Sequence, residues 1–174
     1  MQGHPSATPA KDKPEPMLKS HQAEPKPQID RILVLAWNHT SLAVSDIDIA
    51  AAFFVAALGF SPAFEVRGMA DQIARLTAAD GLSCDLVQLV HPVSGQRLEL
   101  IAFHPPGGSA AGDPLPLRPG TAHAAFIVPD LISARAVIEA YGAVVLGEIV
   151  GFDDGPALYA RVPGGAFIEL EEQT

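Results

Sequence analysis

HTSLAVSDI at residues 39–47 and HAAFIVPDL at residues 123–131 share the pattern H-x-x-x-x-V-x-D-[IL]. A second shared string, G-x-x-[LI]-E-L, occurs as GQRLEL at 95–100 and as GAFIEL at 165–170. The two strings recur in the same order, 84 and 70 residues apart. Such self-similarity indicates that the chain contains one structural module twice.

Around these strings, each half of the chain predicts a strand, a helix and then three strands. In the first half, residues 32–44 read as a strand, and Ser45 or Asp46 precedes a run with helical spacing that ends at Gly59. The second half repeats this order, with its helix ending at Gly142. The predicted fold class is therefore α+β, with two β-α-β-β-β modules.

The unequal offsets place extra residues in the first half, near positions 70–80. The segment ADQIARLTAAD there predicts a short amphipathic helix with Ile73 and Leu76 facing inward.

Composition divides the chain into four segments. The N-terminal segment is rich in Pro, Lys, Gln and Glu and poor in large apolar residues, so we expect it to be disordered. A second segment rich in Gly, Pro and Ser lies between the repeats and reads as a linker. The predicted organisation is a tail at 1–31, a first module at 32–104, a linker at 105–120 and a second module at 121–174.

Charge and hydropathy restrict the function classes. The net charge of −9 and the pI of about 4.9 argue against nucleic-acid binding, because an acidic surface repels phosphates. No basic run suggests a membrane surface, and no apolar run reaches the roughly 18 residues that span a bilayer. Cys84 is the single cysteine. We predict that it is a small core residue, and its solitary thiol suits a reducing cytoplasm.

Four polar residues occupy matching positions in the two copies. Side chains alternate along a strand, so His39, Glu99, His123 and Glu169 should all lie on the sheet face away from the helices. A single strand His or Glu is more often a hydrogen-bonded or solvated residue than a ligand. Together, two imidazoles and two carboxylates form a mixed N/O ligand set for one divalent transition metal, with room for water or a substrate.

Three further residues are candidates for substrate contact. Tyr159 and Arg161 stand two apart, and hence on one face, of the strand before Glu169. Trp37 precedes His39 by two positions. Packing in the core or at an interface is the alternative role of all three.

In these motifs the chain resembles the vicinal oxygen chelate superfamily, which includes glyoxalases, bleomycin resistance proteins and extradiol dioxygenases. The resemblance runs from about residue 37 to 172 and rests on NHTSLAVSDI, LGF, RLELIAF, HAAFIVPDL and GGAFIEL. It implies paired modules that form a cup-shaped mixed sheet around a metal, with the four residues above as its ligands. It also implies a small-molecule substrate whose vicinal oxygens chelate the metal.

What the resemblance implies about chemistry is proton transfer next to a metal-bound carbonyl, as in lyase and isomerase members. Glu169 is then the expected catalytic base, with Glu99 as its near-symmetric counterpart. The expected cofactor is one divalent ion, Ni, Co, Zn, Mn or Fe. The expected assembly is a homodimer, with the modules pairing either within or between chains.

Two departures from glyoxalase I argue against a glutathione hemithioacetal as substrate. The first strand, SLAV, has no arginine, and VPGG stands at 162–165 where D-P-D-G is usual. The alternatives are an iron(II) ring-cleaving dioxygenase, against which the additional carboxylate of Glu99 argues, and a non-catalytic small-molecule-binding resistance protein, which has no need of metal ligands.

Overall fold

The computed structural model describes residues 35–108 and 115–173. The predicted tail at 1–31 lies outside the described residues, as do 109–114 of the predicted linker and Thr174. The module boundaries proposed above therefore stay predictions. Within the described residues, no helix has the length and apolar content needed to span a bilayer.

The first half forms a four-stranded mixed sheet with two helices. The strands lie in the order β1-β4-β3-β2, with β1 parallel to β4 and the other neighbours antiparallel. The elements are β1 (Thr40–Ala43), α1 (Ile47–Leu58), β2 (Ser61–Met69), α2 (Asp71–Thr77), β3 (Ser83–Val90) and β4 (Arg97–His104).

The second half forms a five-stranded sheet with one helix. Its strands lie in the order β5-β9-β8-β6, and β7 also pairs with β8. As in the first half, the first strand, β5, pairs in parallel with the last strand, β9. Because β9 is its single neighbour, β5 is an edge strand like β1. The elements are β5 (His123–Val128), α3 (Leu131–Ala140), β6 (Val144–Val145), β7 (Val150–Phe152), β8 (Gly155–Arg161) and β9 (Phe167–Glu172). The predicted α+β class with two mixed sheets is confirmed.

The helix ends follow the local chemistry of the repeat. The Asp46 carboxylate accepts hydrogen bonds from two backbone N–H groups of the first turn of α1, and Gly59 ends that helix with φ of 72°. Asp130 caps the start of α3 by accepting one such hydrogen bond, from the backbone N–H of Ser133. The Glu172 carboxylate of β9 also accepts a hydrogen bond from the backbone N–H of Leu131, at 2.7 Å. Both predicted helix starts are thus fixed by an aspartate of the shared string.

The core lies on the helix side of both sheets, as strand alternation predicts. One continuous cluster of buried residues joins the two halves. It includes Leu42, Leu98 and Leu100 from the first sheet, Leu158, Ile168 and Leu170 from the second, and Phe53, Phe54, Leu131 and Ile138 from the helices.

Strand β1 is shorter than predicted. The structure begins it at Thr40, and Trp37 is 84% exposed rather than part of a core. The reason is that β1 has a single neighbour, β4, and Thr40 pairs with Leu98 near the start of that strand. The chain before Arg97 is the β3–β4 turn, so residues ahead of His39 have no ladder to join.

Helix α2 occupies the region predicted for it but faces differently. Ile73 is buried, whereas Leu76 is 82% exposed, so the prediction that Leu76 faces inward is wrong. Ile73 packs in a small cluster with Leu82, Cys84 and Ile101, and Leu76 lies outside this cluster. Because Ile101 stands two residues from Glu99 on β4, α2 covers the same sheet face as Glu99, opposite α1. The buried Cys84 confirms its predicted core role.

The turn between β8 and β9 packs tightly against the start of α1. Gly164 has φ of 86°, and a Cβ there would lie 2.8 Å from the Cβ of Ala50 and 2.9 Å from the backbone oxygen of Asp46. The backbone N–H of Ser45 donates to the oxygen of Gly164 at 2.8 Å. This contact ties the second half directly to the first.

A charged network joins four elements on the α1 side of the first sheet. Arg67 of β2 forms ion pairs with Asp48 of α1 and with Glu65, and it lies 3.8 Å from the Asp85 carboxylate of β3. Asp85 also accepts from the backbone N–H of Gly68 and contacts His104. The Gly68 hydrogen bond, assisted by His104 and Arg67, holds the pKa of Asp85 below its usual value.

Candidate metal centre

The first candidate pair, His39 and Glu99, lies at the edge of the first sheet. His39 immediately precedes β1, and Glu99 is directly opposite Ser41 in the β1–β4 register. The Nε2 atom of His39 lies 3.8 Å from Oε2 of Glu99. The imidazole is 35% exposed and the carboxylate side chain 14% exposed, so both remain reachable from solvent.

Two neighbours orient this pair. The Ser41 hydroxyl donates to Oε1 of Glu99 at 2.9 Å, which leaves Oε2 facing His39. The side-chain oxygen of Asn38 lies 2.7 Å from Nδ1 of His39. An oxygen can only accept from the ring, so Nδ1 carries the proton and the Nε2 lone pair is directed at the carboxylate side.

The second pair, His123 and Glu169, has the equivalent position on the second sheet. His123 starts β5 and Glu169 lies on β9, opposite Ala125. Nε2 of His123 lies 3.1 Å from Oε2 of Glu169, and the two side chains are 37% and 16% exposed. These exposures closely match those of the first pair, as expected for two copies of one module.

Tyr159 contacts both residues of the second pair. It lies opposite Glu169 in the β8–β9 register, and its hydroxyl is 3.2 Å from Nε2 of His123. The Tyr159 and His123 rings are in edge contact, with centroids 4.9 Å apart. Burial, together with the charge of Glu169 and a hydrogen bond to it, raises the pKa of Tyr159, so the phenol stays protonated at neutral pH.

The two pairs do not form one cluster within the chain. Among the described residues, no three His, Cys, Asp or Glu side chains are grouped closely enough to hold a metal ion together. The sheets are separate, and clefts of about 690 and 390 Å³ are lined by residues in and beside their edge strands β1 and β5. Each sheet thus supplies one imidazole and one carboxylate.

The remaining predicted site residues lie around the pairs. Trp37 lines the larger cleft together with His123. Arg161 pairs with Phe167 two positions along from Tyr159, so it shares the face of Tyr159 and Glu169.

The residues that sequence reasoning missed are Asn38 and Ser41. Both belong to the string NHTS, and Ser41 shares the strand face of His39 through its i+2 spacing. That spacing, combined with the parallel β1–β4 pairing, was the available signal for Ser41. Adjacency to His39 was the available signal for Asn38.

The donor set fits a divalent transition metal. Imidazole nitrogen and carboxylate oxygen bind such ions at about 2.0–2.2 Å, so neighbouring ligands of an octahedral ion stand about 3 Å apart. The His123–Glu169 separation of 3.1 Å meets that spacing, and the His39–Glu99 pair at 3.8 Å is close to it.

Comparison with known proteins identifies the family. The sequence profile of the Glyoxalase/Bleomycin resistance protein/Dioxygenase superfamily matches residues 36–170. The chain therefore belongs to this superfamily, whose vicinal oxygen chelate fold the two half-structures display. A search of curated protein sequences finds no significant match.

Solved structures of the same fold cover about four fifths of this chain. A glyoxalase-family protein from Bacillus cereus superposes with a TM-score of 0.70 at 22% identity, covering 83% of this chain and 98% of its own. The fosfomycin resistance protein FosX from Listeria monocytogenes, solved with Mn(II) and sulfate, superposes with a TM-score of 0.53 at 16% identity. The match covers 82% of this chain and 95% of FosX. The antibiotic-binding protein TnmS3 from Streptomyces sp. CB03234 superposes with a TM-score of 0.55 at 18% identity, covering 83% of this chain and 100% of TnmS3. At these identities the likeness establishes the fold alone.

Proposed function

We propose that the protein is a divalent-metal-dependent, glyoxalase-like lyase or isomerase that transfers a proton next to a carbonyl of a small oxygenated substrate. The observation that carries this proposal is the pair of equivalent His–Glu sites, His39–Glu99 and His123–Glu169, each with donor atoms within 3.8 Å and open to solvent. The Mn(II) bound in the structure of FosX supports a metal in this fold.

The four side chains would hold the ion, which when bound supplies Lewis acidity to a substrate carbonyl. Glu169 would then take the proton from the adjacent carbon. Ser41 holds Glu99 by a hydrogen bond, whereas the hydroxyl beside Glu169 is the Tyr159 phenol, which we propose as a contact of the substrate itself. The phenol of Tyr159, beside Glu169, donates a hydrogen bond to a substrate oxygen. Arg161 and Trp37 are the further substrate contacts that we propose.

We also propose that each complete site takes one pair from each of two copies in a homodimer. The separation of the pairs supports this, since no group of three donors forms among the described residues of one chain. A second copy, related by a two-fold axis, would bring the first-half pair of one chain to the second-half pair of the other.

Metal analysis of the untagged protein tests the ligand set. We expect about one nickel, cobalt, zinc or manganese per chain, lost in His39→Ala and in Glu169→Ala. His91→Ala and His104→Ala are matched controls, because these histidines bond to Ser94 and Asp85 away from the pairs. Iron would favour the dioxygenase chemistry instead. A wild-type protein that takes up no metal after reconstitution would refute the proposal and leave a binding protein.

Mixing two inactive variants tests the shared site. In a dimer with sites between chains, one His39→Ala chain and one His123→Ala chain lose both histidines at one site and keep all four ligands at the other. Co-refolded variants should therefore regain about one metal per mixed dimer. No regain in a verified mixed dimer would place each site within a single chain.

Solvent exchange tests the reaction class. We expect the metal-loaded protein in D2O to accelerate loss of the CH2 proton signal of 2-hydroxyacetophenone, followed by ¹H NMR. Glu169→Gln should lose at least about 100-fold of this rate, within the usual range for removal of a general base. Exchange no faster than with metal-free protein would contradict proton-transfer chemistry on this kind of carbonyl.

A further inference from the structure

The cleft of about 690 Å³ between the two halves has an unusual charge pattern for this acidic chain. Among the described residues that line the cleft, Arg97 is the single one with a permanent charge, and none is a carboxylate. The volume is within the range of small-molecule sites. His123, one of the proposed metal ligands, also lines it, so a molecule in this cleft would lie beside the metal centre.

The guanidinium of Arg97 is available to a ligand. It donates a long hydrogen bond of 3.4 Å to the side-chain oxygen of Gln88, and among the described residues Arg97 forms no ion pair. Arg67 and Arg135, by contrast, are each paired with carboxylates. Arg97 starts β4 two residues before Glu99, so both lie on the same sheet face.

The rest of the lining combines polar side chains with three aromatic ones, Trp37, Phe60 and Phe126. The Phe60 and Phe126 rings are in edge contact, with centroids 5.8 Å apart. Trp37 lines the same cleft with 84% of its surface exposed. Phe60 is buried, so the aromatic surface open to a ligand is the indole of Trp37 and the half-buried ring of Phe126. This surface favours a planar apolar group, which would cover it on binding.

From these contacts we infer that the cleft binds a small aromatic carboxylate. The ring lies against Trp37 and Phe126, and the carboxylate accepts paired hydrogen bonds from Arg97, the geometry for which a guanidinium is suited. Any further oxygen of the ligand faces His123. This inference rests on the proposed function in one respect, since it names the substrate class of the same metal centre.

Binding is measurable without metal or turnover, because Trp37 is the sole tryptophan of the chain. The EDTA-treated full-length protein is titrated with mandelate and with the neutral analogue 1-phenylethane-1,2-diol, by tryptophan fluorescence and by calorimetry in parallel. We expect saturable binding of mandelate at least about tenfold tighter than that of the diol. Arg97→Gln should abolish this difference, whereas Arg75→Gln, an equal charge change at an exposed position of α2, should preserve it.

Three results would overturn the inference. They are equal affinity for mandelate and the diol, undiminished mandelate binding by folded Arg97→Gln, and no mandelate heat or fluorescence change in the wild type. Acetate as a competitor controls for binding of any carboxylate regardless of the ring. Metal content is measured on the same preparations, so a protein that binds mandelate but no metal would refute the proposed function and leave this inference standing.

Discussion

At the scale of single residues, Asn38 is the clearest difference between the two copies. Its side chain fixes the tautomer of His39, whereas Ala122 precedes His123 and offers no such group. We expect Asn38→Ala to weaken metal binding by about 10–100-fold, the usual cost of losing a partner behind a histidine ligand. Calorimetric titration of metal-free protein measures the effect.

Gln72→Ala, at an exposed position of α2, is the control for Asn38→Ala and should bind metal like the wild type. An unchanged affinity in folded Asn38→Ala would show that the tautomer of His39 is set by something other than Asn38.

Tyr159 should oppose metal binding slightly. Its hydroxyl lies 3.2 Å from Nε2 of His123, the atom that must face an ion, so this contact breaks on metal binding. Tyr159→Phe keeps the ring contact and removes the hydroxyl. We expect metal affinity to rise by up to about fivefold, which corresponds to a net hydrogen bond of about 1 kcal/mol.

Tyr141→Phe is the matched control, since Tyr141 is exposed at the end of α3, and titration of both variants checks the prediction. A large loss of metal affinity in Tyr159→Phe would mean instead that the hydroxyl supports the bound ion.

At the scale of elements, the β8–β9 turn holds the halves together through Gly164. A methyl group at this position would lie within 3.0 Å of the Ala50 side chain and of the Asp46 backbone oxygen. The backbone φ of 86° is also unfavourable for residues other than glycine. We expect Gly164→Ala to lower the free energy of unfolding by about 2–4 kcal/mol. Gly95→Ala, in the β3–β4 turn, has φ of 69° and open space, and should cost only about 1 kcal/mol.

Urea unfolding of the two glycine variants separates backbone strain from the steric contact. If Gly164→Ala and Gly95→Ala lowered the free energy of unfolding equally, the contact of Gly164 with α1 would contribute little to stability.

Helix α2 depends on Ile73 alone for its burial. Ile73→Ala should cost about 2–3 kcal/mol, whereas Leu76→Ala, 82% exposed in the wild type, should cost less than about 0.5 kcal/mol. Cys84 packs beneath α2 and its pKa is raised by burial, so its thiol reacts slowly.

The modification rate of this single cysteine by a maleimide therefore reports the opening of α2. It should rise in Ile73→Ala and stay near the wild-type rate in Leu76→Ala. Equal rates in the two variants would contradict the assigned packing.

At the scale of the whole molecule, the charged network around Asp85 makes the stability of the fold depend on pH. The pKa of Asp85 is lower in the folded state, so its contribution is complete above its unfolded value of about 3.9 and is lost as the pH falls through the folded value. We expect Asp85→Asn to lower the Tm at pH 7 by about 2–4 °C, for a loss of about 1 kcal/mol.

The difference in Tm between the wild type and Asp85→Asn should shrink toward pH 2–3, well below the reference pKa of about 3.9. Asp153→Asn removes one carboxylate at an exposed position, is the control, and should change the Tm little. A difference that persists at low pH would assign the effect to packing rather than to charge.

The repeat predicts much of the fold because it combines two independent periodicities. Its aspartates and glycines mark the ends of α1 and α3, and alternation along β4 and β9 separates the core leucines from Glu99 and Glu169. Both kinds of information are local. The orientation of Leu76 depended on a surface assembled from distant strands, and the start of β1 depended on where its partner begins, so neither was available from local pattern.

The candidate site, too, has a part that local sequence pattern predicts and a part that depends on distant elements. The sequence indicated that each half contributes one histidine and one glutamate on one face, which the strand registers allow. It contained no information on whether the two faces converge, because that depends on how the edge strands β1 and β5 meet. For the same reason the aromatic contact of Tyr159 with His123 and the position of Trp37 beside the larger cleft could be read only in three dimensions.

Helix α2 has a further consequence for the geometry of the proposed reaction. A ligand set of two identical His–Glu pairs would have a two-fold axis, and a substrate could bind in either of two equivalent orientations. Helix α2 covers the Glu99 face of the first sheet, and the second half, described from residue 115 to 173, has no matching helix. The axis is therefore broken around the ligands, so the two ends of a bound molecule meet different surroundings. A substrate held in one orientation presents one prochiral face to one carboxylate, and its product would have a single handedness.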